Sequence, residues 1–181
     1  MKHMIRQSAI ATSFALLAAC ANAAEPDAFT PPDYAAAQID LSTPQASAYS
    51  MMMAMYQGST EMVDQVFAPD ATLNRLRATG EVEKDGLTPW RDWVGTLEVG
   101  QANEELFNLK VEQFDRLATV WAPFVIRYEG EIVGCGVNQF VMVDYGTDDA
   151  SEWRILSGID VQAPRETCAG FKAGVGALDK N

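Results

Sequence analysis

Histidine is almost absent. The one histidine, His3, lies in the first few residues of a 181-residue chain. Basic side chains are scarce too: Lys and Arg number 13 against 25 Asp and Glu, and the formal charge is −12. No basic cluster interrupts this acidity, so no nucleic-acid partner is expected. Long apolar runs are missing. The longest, residues 8–19, is shorter than the roughly 20 apolar residues that span a bilayer. Gly170, Gly174 and Gly176 follow no strand, so they form no phosphate-binding loop, and no calcium-loop pattern occurs. No cofactor is expected. There are no internal repeats. What remains is ordinary for one soluble domain: 48% hydrophobic and 21% charged.

The N-terminus reads as an export signal over residues 1–23. Lys2 and Arg6 precede the apolar run, and a small-residue exit follows. Two cleavages compete. Ala21-Asn22-Ala23 fits an A-x-A site, with cutting before Ala24. Leu17-Ala18-Ala19-Cys20 resembles a bacterial lipobox, in which Cys20 becomes the lipidated first residue. Either way the mature chain is expected outside the cytoplasm, periplasmic or anchored as a lipoprotein. Membrane association depends on Cys20 being lipidated. Removal of the signal leaves 11 basic side chains against 25 acidic ones, a charge of about −14. It also removes His3. Serine or cysteine nucleophiles paired with histidine, and His-ligated metal sites, are then excluded, and no metal is expected. Any general base is Asp, Glu, Tyr, Lys or Cys.

Cys135 and Cys168 are an even pair in an oxidising compartment, 33 positions apart. A bridge between them is favoured over two unrelated buried thiols, because free thiols are hazardous outside the cell.

Residues 24–42 are rich in Ala and Pro and read as a linker. The domain is expected over 43–163 and a Gly-containing tail over 164–181. Thr43-Pro44 pairs an N-cap with a first-turn proline, which predicts a helix to about Gln57, stopped by Gly58. Ser59 or Thr60 caps a second short helix that ends over residues 67–70. The period then becomes alternating. A strand over 71–77 turns at Gly80 into a short partner at 81–83. Thr88-Pro89 starts a helix whose Trp90, Trp93, Val94 and Leu97 form an apolar stripe. Four meandering strands follow, at about 105–117, 119–129, 131–145 and 152–162. Helices followed by a mostly antiparallel sheet make the α+β class.

The order of these pieces resembles the nuclear transport factor 2-like superfamily, particularly its SnoaL-like bacterial branch. Met62-Val63-Asp64-Gln65-Val66-Phe67-Ala68-Pro69-Asp70-Ala71-Thr72-Leu73 is similar to the family's passage from helix into first strand. Trp90-Arg91-Asp92-Trp93 resembles its intervening helix. Thr119 to Phe124, Glu129-Gly130, Cys135-Gly136-Val137-Asn138 and Glu152 to Leu156 resemble its closing strands. The resemblance covers roughly residues 44–162. It implies a cone, the cystatin-like α+β barrel: a strongly curved sheet around N-terminal helices, with a pocket at the open end. It also implies homodimers through the sheet. Members include isomerases, dehydratases and cyclases as well as binding domains without catalysis, so the fold alone does not settle function.

Several residues are candidates for the pocket. Alternation puts Ile132, Gly134, Gly136, Asn138, Phe140 and Met142 on one face, and Asn138 is the unusual member. It either orients a ligand beside glycines that make room for it, or bonds to a helix while the glycines mark a bulge. Asp160 is the candidate catalytic base, because family enzymes often use a strand carboxylate. Strict alternation opposes this, since Trp153, Ile155 and Ile159 have the other parity; a bulge at Gly158 would restore it. Trp121 lines a pocket or merely packs. Trp90 is a stripe residue that could also meet a ligand. Tyr49 and Tyr56, seven apart on the first helix, either donate to a ligand carbonyl or pack. The methionines of that helix are adaptable filling or lining.

The expectation is an exported domain that binds a small apolar molecule or serves an accessory role. The alternative is an acid–base isomerase, dehydratase or cyclase acting on a small apolar carbonyl compound, with Asp160 taking the proton. A structural dimer with a filled core is the third.

Overall fold

The computed structural model describes residues 33–173. The export signal with its lipobox and Cys20, residues 24–32 of the expected linker and residues 174–181 of the expected tail lie outside them.

Thr43 caps helix α1 (Pro44–Tyr56): its Oγ1 accepts from the Ala46 amide at 3.1 Å, and Pro44 opens the first turn. Gly58, at φ +64°, ends the segment; a Cβ there would stand 2.3 Å from the Leu97 carbonyl oxygen, so no other residue fits. α1 has no polar face. Ala48, Met51, Met52, Ala54 and Met55 are all buried, and so are Ser47 and Ser50. A helix apolar on every side must be surrounded, and the sheet does this. Residues 33–42 are tied to it as well. The Ser50 hydroxyl accepts from the Asp40 amide and donates to the Asp40 carbonyl, while Gln57 Nε2 donates to the Tyr34 carbonyl at 2.9 Å.

Ser59 caps α2 (Thr60–Val66) through the Met62 amide. Strand β1 (Phe67–Leu76) then starts at once. Residues 67–70, expected to end a helix, are therefore strand, with a bulge before Thr72 where Asp70 takes φ +59°. β2 (Val82–Glu83) pairs back antiparallel on the end of β1. Helix α3 (Leu87–Val94) begins ahead of the expected Thr88 cap: its N-cap is Gly86, whose amide donates to the Leu73 carbonyl at 2.7 Å. That bond to β1 sets the start of the helix.

The strand expected over 105–117 is two strands. β3 (Ala102–Leu106) and β4 (Lys110–Phe114) occupy successive stretches of one edge of β5 (Leu117–Tyr128). Asn108, at φ +50°, breaks the run between them. β5 turns through Glu129 and Gly130, both at positive φ, into β6 (Glu131–Asp144). β7 (Trp153–Gln162) completes the sheet, in the order β2-β1-β7-β6-β5-β3 with β4 beside β5. The β1–β7 pair is parallel and all others are antiparallel.

Inside the curve, Phe140, Met142, Ile155, Trp153, Val120 and Leu73 close on α1 in one core. On the outside, Cys135 of β6 is bridged to Cys168 of a 3-10 helix (Arg165–Gly170), with Cα atoms 5.4 Å apart. Phe107, Val125 and Phe171 pack round the bridge as a second small cluster. Part of the expected tail is thus fastened to the sheet. Among the described residues, no helix is long and apolar enough to cross a membrane.

Candidate functional site

The polar centre of the molecule comes from a row of neighbours across three strands. Arg75 of β1 is paired with Asp160 of β7, and Asp160 with Asn138 of β6. Asp160 owes its place to a bulge. Pairing passes from Val141–Ser157 to Met142–Ile155, which leaves Leu156 as the extra residue. Trp153 and Ile155 are buried before the bulge, Gly158 and Asp160 after it. The parity objection to Asp160 is lifted in this way, two residues earlier than the expected position at Gly158.

Asp160 is buried and held by Arg75. The guanidinium Nε donates at 2.7 and 2.9 Å, and Nη2 lies 2.7 Å from Oδ2. Its pKa is nevertheless raised, because burial outweighs the attraction of Arg75, with lesser effects from Arg77 and Glu83. Arg77 is engaged with Glu83 at 2.6 Å, and its Nη1 reaches Gln162 at 3.3 Å.

Asn138 is also buried. Its Nδ2 donates to Glu104 Oε1 at 2.8 Å. Glu104 projects from β3, with buried Ala102 and Leu106 on the same face. Burial pushes the Glu104 carboxyl up to about 7. The Asn138 amide opposes the rise, Asp160 adds to it and Arg75 reduces it. One carboxyl near neutrality therefore sits beside another that is paired with a guanidinium, in a cavity.

That cavity measures about 580 Å³. Its apolar walls include Met51, Leu73, Phe124, Ile126, Trp90 and Trp93; its polar part holds Arg75, Arg77, Glu83, Lys84, Glu104, Asn138, Asp160 and Gln162. The apolar walls are joined by a charged floor, which exists because β1, β3 and β7 each turn an ionisable side chain inward.

The candidates divide. Asn138, Asp160 and Trp90 line one cavity, and Trp90 also packs on Phe67 with ring centroids 6.0 Å apart. Trp121 does not line it: alternation buries Val120 and Ala122 and leaves Trp121 46% exposed on the outer face. Tyr49 and Tyr56 are outside the lining as well. Tyr49 is packed in the core, which raises its phenol pKa, and Tyr56 packs on Tyr34 at 6.0 Å. Of the two glycines, Gly134 lines the cavity. Gly136 does not make room for a ligand, because a Cβ there would stand 2.0 Å from the Val161 carbonyl oxygen. It serves sheet packing. Glu104 and Arg75 were not foreseen. Their signals were the alternations Ala102–Glu104–Leu106 and Leu73–Arg75–Arg77. Among the described residues, no group of three or more His, Cys, Asp or Glu could hold a metal.

No family model matches the chain, and no curated protein matches it. Solved structures do. A protein of unknown function from Mycobacterium tuberculosis aligns over 74% of this chain and 83% of its own, with 16% identity and a TM-score of 0.52. A cystatin-like protein of unknown function from Nostoc punctiforme covers 66% and 88%, with 13% identity and a TM-score of 0.51. A proposed dehydratase of the NTF2-like family from Streptomyces avermitilis covers 69% and 96%, with 17% identity and a TM-score of 0.50. The chain has the nuclear transport factor 2-like, or cystatin-like, fold. These likenesses do not single out the SnoaL-like branch.

Proposed function

We propose that the protein is an exported domain that binds a small molecule in the cavity between α3 and the inner face of the sheet. The observation that carries this reading is the cavity itself: about 580 Å³, with apolar walls and a few converging polar groups. Trp90 and Trp93 offer flat apolar surface, and Asn138, Glu104 and Arg75 offer polar contacts. Export rests on the N-terminal signal pattern and accords with the Cys135–Cys168 bridge. Periplasmic release and lipid anchoring at Cys20 are its two forms. A homodimer through the outer sheet face belongs to the same proposal, supported by exposed Phe114, Leu117, Trp121 and Val161.

Native mass spectrometry of protein purified from its own host tests the reading. A bound small molecule is expected in the wild type and should be lost in Ile126→Trp, which places an indole across the cavity. Wild-type protein whose mass is that of the bare chain would overturn it.

A second reading is favoured by one observation, the position of Glu104. A buried carboxyl that titrates near 7 can take a proton from a substrate and return it elsewhere, as an isomerase, dehydratase or cyclase requires. In this reading Glu104 is the proton carrier. Asp160, tied to Arg75, is less suited to the role first expected of it. The substrate would be a small carbonyl compound, handled without histidine or metal.

A further inference from the structure

The ion pair between Arg75 and Asp160 uses one edge of the guanidinium, Nε and Nη2. The other edge, with Nη1, has no hydrogen-bond partner among the described residues, and the side chain is 32% exposed where it lines the cavity. A guanidinium that lines a cavity with donors to spare suits a planar oxygen acceptor. The second polar group of the floor is Glu104, which is 91% buried (9% exposed). Its carboxyl accepts from Asn138, and no salt bridge holds it among the described residues.

The other groups round Glu104 set the sign of charge the cavity prefers. Asp160 and Arg75, from β7 and β1, act on it as a closed pair. Tyr34, from the segment before α1, donates its hydroxyl to the Glu104 backbone carbonyl at 3.5 Å, with Tyr49 of α1 beside it. Next on β3 is Glu105, which is bonded to Lys172 on the outer side. β5 contributes Phe124 and Ile126, and α3 contributes uncharged Pro89, Trp90 and Trp93. Arg77 is paired with Glu83. Lys84 at the rim has no salt bridge among the described residues. With Glu104 protonated, the lining therefore carries one cation in excess; with Glu104 ionised, it carries none.

Resting on the binding reading, we propose that the cavity takes an organic carboxylate with a flat apolar body, held by the free edge of Arg75 and the protonated carboxyl of Glu104. The body lies against Trp90 and Trp93. A bound anion disfavours a second negative charge beside it, so binding takes up a proton at Glu104. Glu104 titrates at about 7. The fraction able to accept the anion thus falls about tenfold between pH 6 and pH 8.

Isothermal titration with three probes that share one naphthalene body tests this: 2-naphthoate, 2-naphthamide and 2-naphthylmethylammonium. Each is measured at pH 6 and pH 8, in two buffers of different ionisation enthalpy. The naphthoate should bind more tightly than the other two, about tenfold more weakly at pH 8 than at pH 6, and with net proton uptake at pH 7. Glu104→Gln should keep naphthoate binding and lose its pH dependence. Arg75→Lys should weaken the naphthoate more than the amide. A naphthoate affinity equal at both pH values overturns the inference, as does an amide or ammonium that binds as tightly. If the amide alone binds, the carboxylate inference falls and the binding reading stands. If none of the three binds, the inference also falls, while the co-purified ligand judges the binding reading by itself. The wild-type measurements decide the matter even if a variant fails to fold.

Discussion

Asn138 and Glu104, side chains from strands that are not neighbours, meet at 2.8 Å across the inner face of the sheet. The amide donates and the carboxyl accepts, with both groups out of water. This contact decides how Glu104 behaves, because it is the largest influence that opposes the effect of burial. Replacing Asn138 by Leu removes the donor and leaves the carboxyl unpartnered. We expect Glu104 to titrate at a higher pH than in the wild type, and stability at pH 8 to fall by about 1–3 kcal/mol. Urea unfolding at pH 8 measures the second effect.

Global stability should fall as pH rises. The carboxyl of Glu104 titrates at about 7 in the folded protein and near 4.5 when unfolded. Between these values the folded state binds the proton and the unfolded state does not. The favourable contribution is complete below pH 4.5 and is lost through pH 7, about 3 kcal/mol in all. Glu104→Gln should remove this loss. Urea midpoints of the two proteins at pH 5.5 and pH 8 provide the comparison. Asp160, also raised, adds to the fall in the same direction.

Breaking the Arg75–Asp160 pair should hurt more than removing it. Arg75→Met leaves Asp160 buried without its cation, at an expected loss of about 1–3 kcal/mol after allowance for the partial exposure of Arg75. The double variant Arg75→Met, Asp160→Leu should regain most of that stability while altering the cavity floor. Thermal unfolding of the single and double variants at pH 7 measures the coupling.

The disulfide closes a loop of 33 residues between β6 and the 3-10 helix. Chain entropy gives it about 3–4 kcal/mol. Cys135→Ser with Cys168→Ser should lower the melting temperature by several degrees and expose the Phe107–Phe171 contact to solvent. The cavity, on the other side of the sheet, should keep its affinity for naphthoate. Differential scanning calorimetry and titration of the double variant check both.

Much of the fold was legible because local chemistry and tertiary structure agree. Thr43 with Pro44, the stop at Gly58, the turn at Gly130 and the even face of β6 each follow from backbone preference or period. The parts that were not legible fail for identifiable reasons. Phe67 reads as the last residue of an amphipathic helix, yet its partner is Ile155 on a strand nearly ninety positions away. The break at Asn108 is a single left-handed residue inside an alternating run, so β3 and β4 merged and Glu104 fell outside the strand that was read. The bulge at Leu156 has no side-chain signature; it is visible only in the pairing of β7 with β6. Trp121 was a pocket candidate because it breaks the rhythm just before Ala122-Pro123, but its parity sends it outward. The charged floor was missed because Arg75, Glu104 and Asp160 are scattered along the chain and meet only when three strands are aligned.

Carbon-13 NMR of the side-chain carboxyls, followed from pH 4 to pH 9, examines the centre of this account most directly. One glutamate resonance should titrate with a midpoint near 7, vanish in Glu104→Gln, and move to higher pH when naphthoate is bound. If every glutamate titrates near its ordinary value, or if the high-pH resonance is untouched in Glu104→Gln, the assignment of Glu104 as the titrating group of the cavity is contradicted.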